Sequence, residues 1–317
     1  MDELSKPVPG NVAANLQPET LAKWRQAGSA AGTALHHGLS LIKPGVRWLD
    51  VAEAVEARIR QMGAEPAFPT TTSVNHVAAH YTPTHDDPGV FREGDVVKLD
   101  VGAHVDGYIG DTAVTVEVGG TEKYAKLIEA ARAALTAAVD IVGPNVNLST
   151  IGAVIEKTIT EYGYKPIQNL TGHSVERYVL HAGMSVPNVA HTPVQRPRVG
   201  QVMAIEPFAT DGAGYVTNGP GGNIFHYART RPVRTPEQRR LLDFIAANHP
   251  KLPFASRWCA ATCPPNRVNY LFTNLVRTVA VKSYAALLEA NRGQVAQYEH
   301  TVIITESGCE VLTLPKT

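Results

Sequence analysis

Two long segments carry apolar residues at helical spacing, and each predicts an amphipathic helix. The first runs from residue 18 to about residue 41. The second runs from about 122 to 142 and is followed by the helix stop Gly143-Pro144. Its apolar stripe consists of Tyr124, Leu127, Ile128, Ala131, Leu135 and Val139.

A repeat with a period of about one hundred residues organises the chain. Residues 43–66 and 143–166 each contain a proline-led entry, an amphipathic helix, a glycine stop and a second proline. In each half a later apolar run ends in an acid, which is Asp100 in one half and Glu206 in the other. We therefore expect an α+β fold with duplicated halves, in which antiparallel strands form a sheet backed by four helices.

The two halves, about 18–118 and 119–317, differ by an insertion in the second. Between about 230 and 288 the repeat breaks off and helix signals dominate, beginning with the helix start Thr235-Pro236-Glu237. The predicted helices of this segment are 239–248 and 269–279. We expect a helical insertion within a single domain, with the functional site where the halves meet.

The run from Val96 to Val116 predicts two strands joined by a turn at Asp106-Gly107, and an aspartate interrupts each strand. Pairing about the start of this turn would set Asp100 directly opposite Asp111. Opposed residues have Cβ atoms about 5 Å apart, so two anions there would repel each other. A shared proton, a bound metal, or a register slip that turns one carboxylate to solvent would each remove the repulsion.

The composition excludes several classes of protein. The chain has 317 residues, of which 44% are hydrophobic and 18% charged, so it can form a large core. Lys plus Arg equals Asp plus Glu at 29 each, and no net field favours nucleic acid or an anionic membrane as partner. The N-terminus lacks the regions of a signal peptide, and no apolar run of about 18 residues occurs. We expect a cytoplasmic monomer that acts on a small molecule or a peptide.

Three cysteines are too few for a disulfide framework. Cys259 and Cys263 have the spacing of half a metal site or of a local disulfide, but no second pair completes a tetrahedral set. We expect structural thiols.

Two further acids stand in strand-like sequence. Glu206 closes one apolar run, and Glu299 precedes another within the strand predicted over 297–304. Together with Asp100 and Asp111 they provide about four negative charges, which balance two divalent cations better than one. Oxygen-rich ligation with one imidazole suits Mn, Fe, Co or Zn. Two such ions about 3.5 Å apart would lower the pKa of bound water and polarise a carbonyl group, as amide hydrolysis requires.

The imidazole could come from several histidines. His80, His173 and His181 lie in segments that we expect to be short loops ahead of strands. Their spacing does not choose among ligand, catalytic and structural roles, because an isolated histidine carries little signal.

These segments closely resemble methionine aminopeptidase type II of the archaeal kind, which belongs to peptidase family M24. The resemblance extends from about Glu19 to Leu314, and the helical insertion before Glu299 is a feature of type II that type I lacks. It implies the pita-bread fold of that family, in agreement with the repeat. The motifs that carry it are Ala78-Ala-His80-Tyr-Thr-Pro83, Lys98-Leu-Asp100-Val-Gly102, Asp111, Asn169-Leu-Thr-Gly-His173-Ser174, His181-Ala-Gly183, Ala204-Ile-Glu206-Pro-Phe208 and Gln297-Tyr-Glu299-His-Thr301.

The resemblance implies two divalent metal ions and five ligands. Asp100 would chelate one metal, while Asp111 and Glu299 would bridge both. His173 and Glu206 would complete the other metal. A hydroxide bridging the ions would attack the scissile carbonyl group.

The resemblance also implies catalytic and substrate-binding residues. Glu206 would carry a proton from the attacking water to the leaving amine. His80 and His181 would flank the substrate and stabilise the oxyanion. The methionine pocket would be lined by Phe68, His226 and Tyr284, of which His226 follows a glycine-rich segment, 211–225, expected to be a loop.

The implied activity is removal of the initiator methionine from nascent proteins whose second residue is small. The substrate would be the N-terminal Met of a nascent peptide, which makes the ribosome a candidate partner. A proline-directed peptidase or creatinase-like enzyme would share the metal centre without the His80-Tyr-Thr-Pro83 context. A non-enzymatic binding protein of the same fold would be expected to lose metal ligands, and all five are present here.

Overall fold

The computed structural model describes residues 12–191, 195–263 and 265–315. Most of the N-terminal stretch that lacks the regions of a signal peptide lies outside these residues. Within these residues no helix is long and apolar enough to cross a membrane. The α-helices are α1 (Pro18–Leu41), α2 (Trp48–Gln61), α3 (Ala125–Ile141), α4 (Leu148–Glu161), α5 (Pro236–Asn248) and α6 (Val268–Arg277).

Every strand pairing in the described residues is antiparallel. The strands are β1 (Glu65–Pro66), β2 (Thr71–Val74), β3 (Val77–Ala79), β4 (Val96–Val105), β5 (Tyr108–Glu117), β6 (Lys165–Pro166), β7 (Thr171–Val175), β8 (Ser185–Pro187), β9 (Val202–Ile205), β10 (Phe208–Thr210), β11 (Val216–Tyr227), β12 (Phe254–Ala255), β13 (Val281–Glu289), β14 (Val295–Gln297), β15 (His300–Ile304) and β16 (Cys309–Val311). Four strands, β4, β5, β11 and β13, are long and the others are short.

The duplication is confirmed at the level of elements. Helices α2 and α4 are offset by one hundred residues, and so are β1 and β6. In the first half, α1 and α2 share a hydrophobic cluster with β4. In the second half, α3 and α4 share one with β9 and β15. Each half is therefore a small sheet covered by two helices, as the α+β prediction requires.

The two faces of β4 have different partners, since side chains alternate along a strand. Val97, Leu99 and Val101 are buried in the cluster with the helices. Asp100 and Gly102 therefore lie on the opposite face, away from α1 and α2. Because residues paired across the hairpin share a face, Asp111 lies on this side as well.

The predicted register of the β4–β5 hairpin is wrong by two residues. Asp100 pairs with Ala113, and Asp111 pairs with Gly102, so the two aspartates are diagonal neighbours. The turn itself was predicted correctly: Asp106 and Gly107 have φ values of 52° and 84°, as a two-residue type I′ loop demands. Such a loop centres the pairing between its two residues, not at its start, which moves the carboxylates apart along the strands.

The halves are joined through backbone pairing between β5 and the segment that enters β15. Glu299 and Ala113 form an antiparallel bridge, and the Thr112 hydroxyl donates to the Glu299 carbonyl oxygen at 2.8 Å. The Asp111 backbone nitrogen donates to the Thr301 hydroxyl oxygen, also at 2.8 Å. Two predicted metal ligands, Asp111 and Glu299, are thereby held by the same contact between the halves.

The segment 230–288 contains α5 and α6, and it also contains most of β13. The two helices share a hydrophobic cluster with Phe254, Cys259 and Cys263. Both thiols are free and buried, in agreement with structural cysteines. Strand β13 pairs with β11 and β3. The division of the chain into one domain with an insertion stays a prediction.

The glycine-rich segment 211–225 is not a loop throughout. Strand β11 begins at Val216 and pairs with β13 over its length, with register shifts between Asn218 and Gly221 and between Gly221 and Ile224. The irregular pairing accommodates the glycines and the proline, which would be poor residues in a regular strand.

Gly110→Ala is expected to destabilise the fold by about 2 kcal/mol through overpacking of α1 on β5. A methyl group at Gly110 would lie 2.6 Å from the Gly28 backbone nitrogen, so the helix would have to move. Chemical denaturation of the metal-free protein measures the change. Gly308→Ala is the matched control, because its added methyl would lie 3.9 Å from the nearest atom. Equal stability of the two variants would contradict the proposed close packing.

Candidate metal centre

A cavity of about 70 Å³ lies between the two halves and is lined by the predicted ligands. This volume is enough for several water-sized particles. All five predicted metal ligands line it, and so do four predicted substrate-binding residues. The first group is Asp100, Asp111, His173, Glu206 and Glu299, and the second is Phe68, His80, His181 and Tyr284.

Each half contributes donors from a strand or from its end. Asp100 lies on β4 and Asp111 on β5. Glu206 directly follows β9, and Glu299 lies between β14 and β15. His173 lies in the middle of β7, so its predicted place in a loop is wrong. Its strand pairs with β9 at Ala204, which places the imidazole beside Glu206.

Of the two histidines that flank the cavity, one is placed differently from the prediction. His80 follows β3 and does not precede a strand, and it has a φ of 65°. His181 does lie in the segment ahead of β8. A positive φ in a residue with a bulky side chain is uncommon, and such conformations cluster at functional sites.

The donor atoms are spaced as ligands of a shared cation are. The Nε2 atom of His173 lies 3.6 Å from Oδ2 of Asp111 and 3.6 Å from Oε1 of Glu206. Asp111, His173 and Glu299 each offer an atom within 4.8 Å of the others. Two donors bound to one ion at about 2.0–2.2 Å lie roughly 3–3.5 Å apart. The spacing is therefore close to that of ligands around an ion.

Burial raises the pKa values of all four carboxyl groups. The pKa of Asp100 rises to about 7 through burial alone. Burial and then repulsion from Asp100 raise the pKa of Asp111 well above its usual range. Glu206 and Glu299 have raised pKa values for the same two reasons, burial first and neighbouring carboxylates second. The chain provides too little positive charge here to stabilise the ionised forms.

The histidines do not supply the missing positive charge. Burial and the proximity of His181 lower the pKa of His173 to about 3 and that of His80 to about 4. Burial lowers the pKa of His181 as well. All three imidazoles are neutral at pH 7, and a neutral imidazole can act as a metal ligand or as a hydrogen-bond donor.

The residues of the cavity fit a pair of divalent cations. Oδ1 of Asp100 and Oδ1 of Asp111 are buried and have no hydrogen-bond partner among the described residues. Buried polar atoms are normally paired, so such atoms call for an unseen partner. Four carboxylates and one imidazole suit Mn, Fe, Co or Zn, and their charge matches two divalent ions.

An ion-pair network holds the His80 loop, and nothing in the sequence pattern indicated it. Arg257, from the segment between α5 and α6, donates to the Thr82 hydroxyl oxygen, to the Pro83 carbonyl oxygen at 3.0 Å and to Glu56. Glu56 also accepts from the Trp258 indole at 2.8 Å. Arg257 and Glu56 are both buried. Their distance in sequence, 201 positions, left no local signal by which the pair could be found.

Several wall residues were also missed. Gln297 donates from its amide nitrogen to Oε2 of Glu299 at 3.3 Å, and Thr71 lies opposite Asp100 in the β2–β4 pairing. Gln297 belongs to the motif Gln297-Tyr-Glu299-His-Thr301 and lies two residues before Glu299, on the same side of the strand predicted over 297–304, which was a usable signal. The remaining wall residues are Ala79, Leu180, Ile224 and Pro253.

His226 does not line this cavity. Its ring borders an adjoining cavity of about 550 Å³, the side cavity, together with Leu180, His181 and Tyr284. Its Nε2 atom lies 3.0 Å from the Lys251 carbonyl oxygen. The structure thus brings Phe68, His80, His181 and Tyr284 together and leaves His226 outside, so its place in a methionine pocket stays a prediction.

Comparison with known proteins places this site in a family. The sequence model of "Metallopeptidase family M24" matches residues 22–306. The chain belongs to metallopeptidase family M24. Members of this family use divalent metal ions, typically two, and the cavity has the donors to hold them.

Full-length relatives and a solved structure agree with this assignment. The methionine aminopeptidase of Thermococcus kodakarensis is 48% identical over 291 residues, 91% of this chain and 97% of that protein. That of Methanocaldococcus jannaschii is 46% identical over 299 residues, 94% of this chain and all of the relative. The crystal structure of methionine aminopeptidase from Thermotoga maritima superposes with a TM-score of 0.69 at 25% identity, covering 94% and 98% of the two chains. The pita-bread fold expected from the resemblance is confirmed.

Metal binding to the metal-free protein is expected to release protons at pH 6 to 7. The raised pKa values mean that the empty cavity retains protons there, and cations displace them, so affinity rises with pH. Titration calorimetry with Mn²⁺ in two buffers of different ionisation enthalpy measures the release. Asp111→Asn, which removes one of these groups, should release fewer protons. Identical heats in both buffers would show that the carboxyl groups are already ionised.

Proposed function

We propose that the protein is a dimetal methionine aminopeptidase that removes an N-terminal Met when the following residue is small. The observation that carries the proposal is the convergence of four carboxylates and one imidazole in a buried cavity flanked by two neutral histidines. The similarity to curated methionine aminopeptidases over more than nine-tenths of the chain supports the same conclusion.

In this proposal the five donors hold the ions and the rest of the wall holds the substrate. Asp100, Asp111, His173, Glu206 and Glu299 would together hold the two ions. Bound divalent ions lower the pKa of water and polarise a carbonyl oxygen, which is the chemistry that amide hydrolysis requires. The burial of the donors keeps bulk water away and strengthens every charge interaction in the cavity.

Glu206 is the proposed proton carrier. Its carboxyl group is buried in the cavity beside Asp111 and Asp100, where a carboxylate can act as a general base towards bound water. It would accept a proton from water at one carboxyl oxygen and return it to the leaving amine. Its Oε1 atom lies 3.6 Å from Nε2 of His173, so its position is defined by a neighbouring ligand.

His80 and His181 are the proposed hydrogen-bond donors to the oxyanion. The ring of His181 lies 4.4 Å from that of His173 between centroids, so it is directly beside the proposed metal ligands. The ring of His80 lies 5.6 Å from that of Tyr284 in an edge-to-face arrangement. Neutral imidazoles can donate one N–H each without adding a charge that would repel cations.

The proposed methionine pocket lies on the apolar side of the cavity. Phe68 and Tyr284, predicted for this role, are joined there by Ile224 and Leu180. An apolar wall with aromatic rings suits a flexible thioether side chain. The cytoplasmic location and the monomeric state remain proposals, and so does the ribosomal partner that the resemblance implies.

The proposed activity is tested by the release of methionine from Met-Ala-Ser in the Mn²⁺-loaded enzyme, with an Ala-Pro dipeptide as the competing substrate. Met-Ala-Ser should be cleaved and the dipeptide should not. Asp111→Asn should lower both metal content and turnover severely, because it removes one of the charged donors that would hold the ions. Preferential cleavage of the X-Pro bond, or unchanged metal content and turnover in the variant, would refute the assignment.

His181→Ala is expected to lower kcat by about 10²-fold while metals still bind, because one donor to the oxyanion is lost. Metal content is measured by elemental analysis, and turnover by methionine release at saturating substrate. His191→Ala is the control, because His191 is exposed and borders a different cavity. If His181→Ala loses metal as well, the residue acts on the metal site and the proposed role is wrong.

A further inference from the structure

The metal cavity continues into a groove on the protein surface. The side cavity shares Leu180, His181, Pro253 and Tyr284 with it. Beyond the side cavity lies a third cavity of about 720 Å³, which shares Tyr178, Lys251 and Pro253 with the side cavity. We call the side cavity and the third cavity together the outer groove. One wall comes from the segment that follows α5, and the other from α2, β1 and the segment around Tyr178.

The charges that line the outer groove are mostly positive. Its cationic residues are Arg60, Arg177 and Lys251, and its one carboxylate among the described residues is Glu65. His104 and His249 add no charge at pH 7, because burial lowers both pKa values, that of His249 to about 4. The lining therefore attracts negatively charged groups, although the chain as a whole has no net charge.

Lys251 is the cation best placed to bind a ligand. Arg60 lies 3.4 Å from Glu65, and Arg177 lies 2.6 Å from Asp106. In the described part of the chain no carboxylate lies within ion-pair distance of Lys251, whose ammonium nitrogen is 4.3 Å from the centre of the Tyr178 ring. The residue is exposed and borders both cavities of the outer groove.

Lys251 lies where the later residues of a bound peptide would pass, after its N-terminal Met has entered the metal cavity. Pro253 lines the metal cavity, and two residues span at most about 7 Å between Cα atoms. An N-terminal Met in the metal cavity would leave the third residue near the mouth, since each extended residue advances about 3.3 Å. Residues four to six would then pass Lys251.

We propose that the outer groove binds the substrate chain beyond its third residue and favours acidic side chains at positions four to six, with Lys251 as the main contact. This inference rests on the proposed function, because it takes the occupant to be the peptide whose N-terminus is cleaved. Arg177 and Arg60 add a weaker attraction, since each is already paired with a carboxylate. The Tyr178 ring offers an apolar surface for the side-chain stems.

The test compares methionine release from Met-Ala-Ser-Glu-Glu-Glu and Met-Ala-Ser-Lys-Lys-Lys by the metal-loaded enzyme. The acidic peptide should have a KM about fivefold lower at low salt, with similar kcat, and the difference should shrink in 0.5 M NaCl. Lys251→Glu should abolish or reverse the preference. Lys251→Met, which keeps an unbranched stem over Tyr178, should reduce it.

Lys126→Glu is the matched control. Lys126 is exposed on α3, and its substitution changes the net charge by the same amount away from the groove. It should leave the preference as in the wild type. Equal KM values for the two peptides, or an equal effect of Lys126→Glu and Lys251→Glu, would overturn the proposal. Cleavage of Met-Ala-Ser separates the two levels: a wild-type enzyme that fails to cleave it refutes the function, whereas one that cleaves it without peptide preference refutes the groove alone.

Discussion

Repulsion among buried carboxylates is the constraint on which the rest of the structure depends. Asp100, Asp111, Glu206 and Glu299 line one small cavity, and their pKa values are all raised. The three nearby histidines have lowered pKa values and bring no compensating charge. A fold that holds four acids in this way is destabilised by their repulsion until cations or protons neutralise them. Metal binding and folding stability are therefore coupled, because whatever neutralises the cavity also stabilises the junction of the two halves.

The duplicated fold explains how such an arrangement can be held. Each half supplies two carboxylates from a pair of neighbouring strands. Asp100 and Asp111 lie within β4 and β5, whereas Glu206 directly follows β9 and Glu299 directly precedes β15. The cavity lies between the halves, so neither half contains it alone. The bridge between Ala113 and Glu299 fixes the halves against each other through backbone atoms, which repulsion between side chains cannot easily displace. Rigid strands therefore carry the ligands, and a loop carries His80.

Local pattern was sufficient for most elements and for the acids that meet in the cavity, and insufficient for exact pairing and for distant contacts. Helix periodicity and the hundred-residue repeat predicted α1 to α4, and acids within apolar strands indicated the carboxylates. The hairpin register failed because the midpoint was set at the start of the turn, although the two-residue loop defines it. The glycines of β11 suggested a loop because strand propensity ignores the support of β13. Arg257 and Glu56 meet only through the tertiary fold, and no periodicity records such a pair.

The segment that follows α5 connects the chemistry of the cavity with the choice of substrate. Its residues face three different surroundings: Lys251 borders the outer groove, Pro253 lines the metal cavity, and Arg257 is buried against the His80 loop. None of them belongs to the set of metal donors. Removing this segment would leave the five donors on their strands but would take away one wall of the substrate path and the support of a flanking histidine. The proposed metal donors thus belong to the duplicated halves, whereas one wall of the proposed peptide path comes from the segment that follows α5.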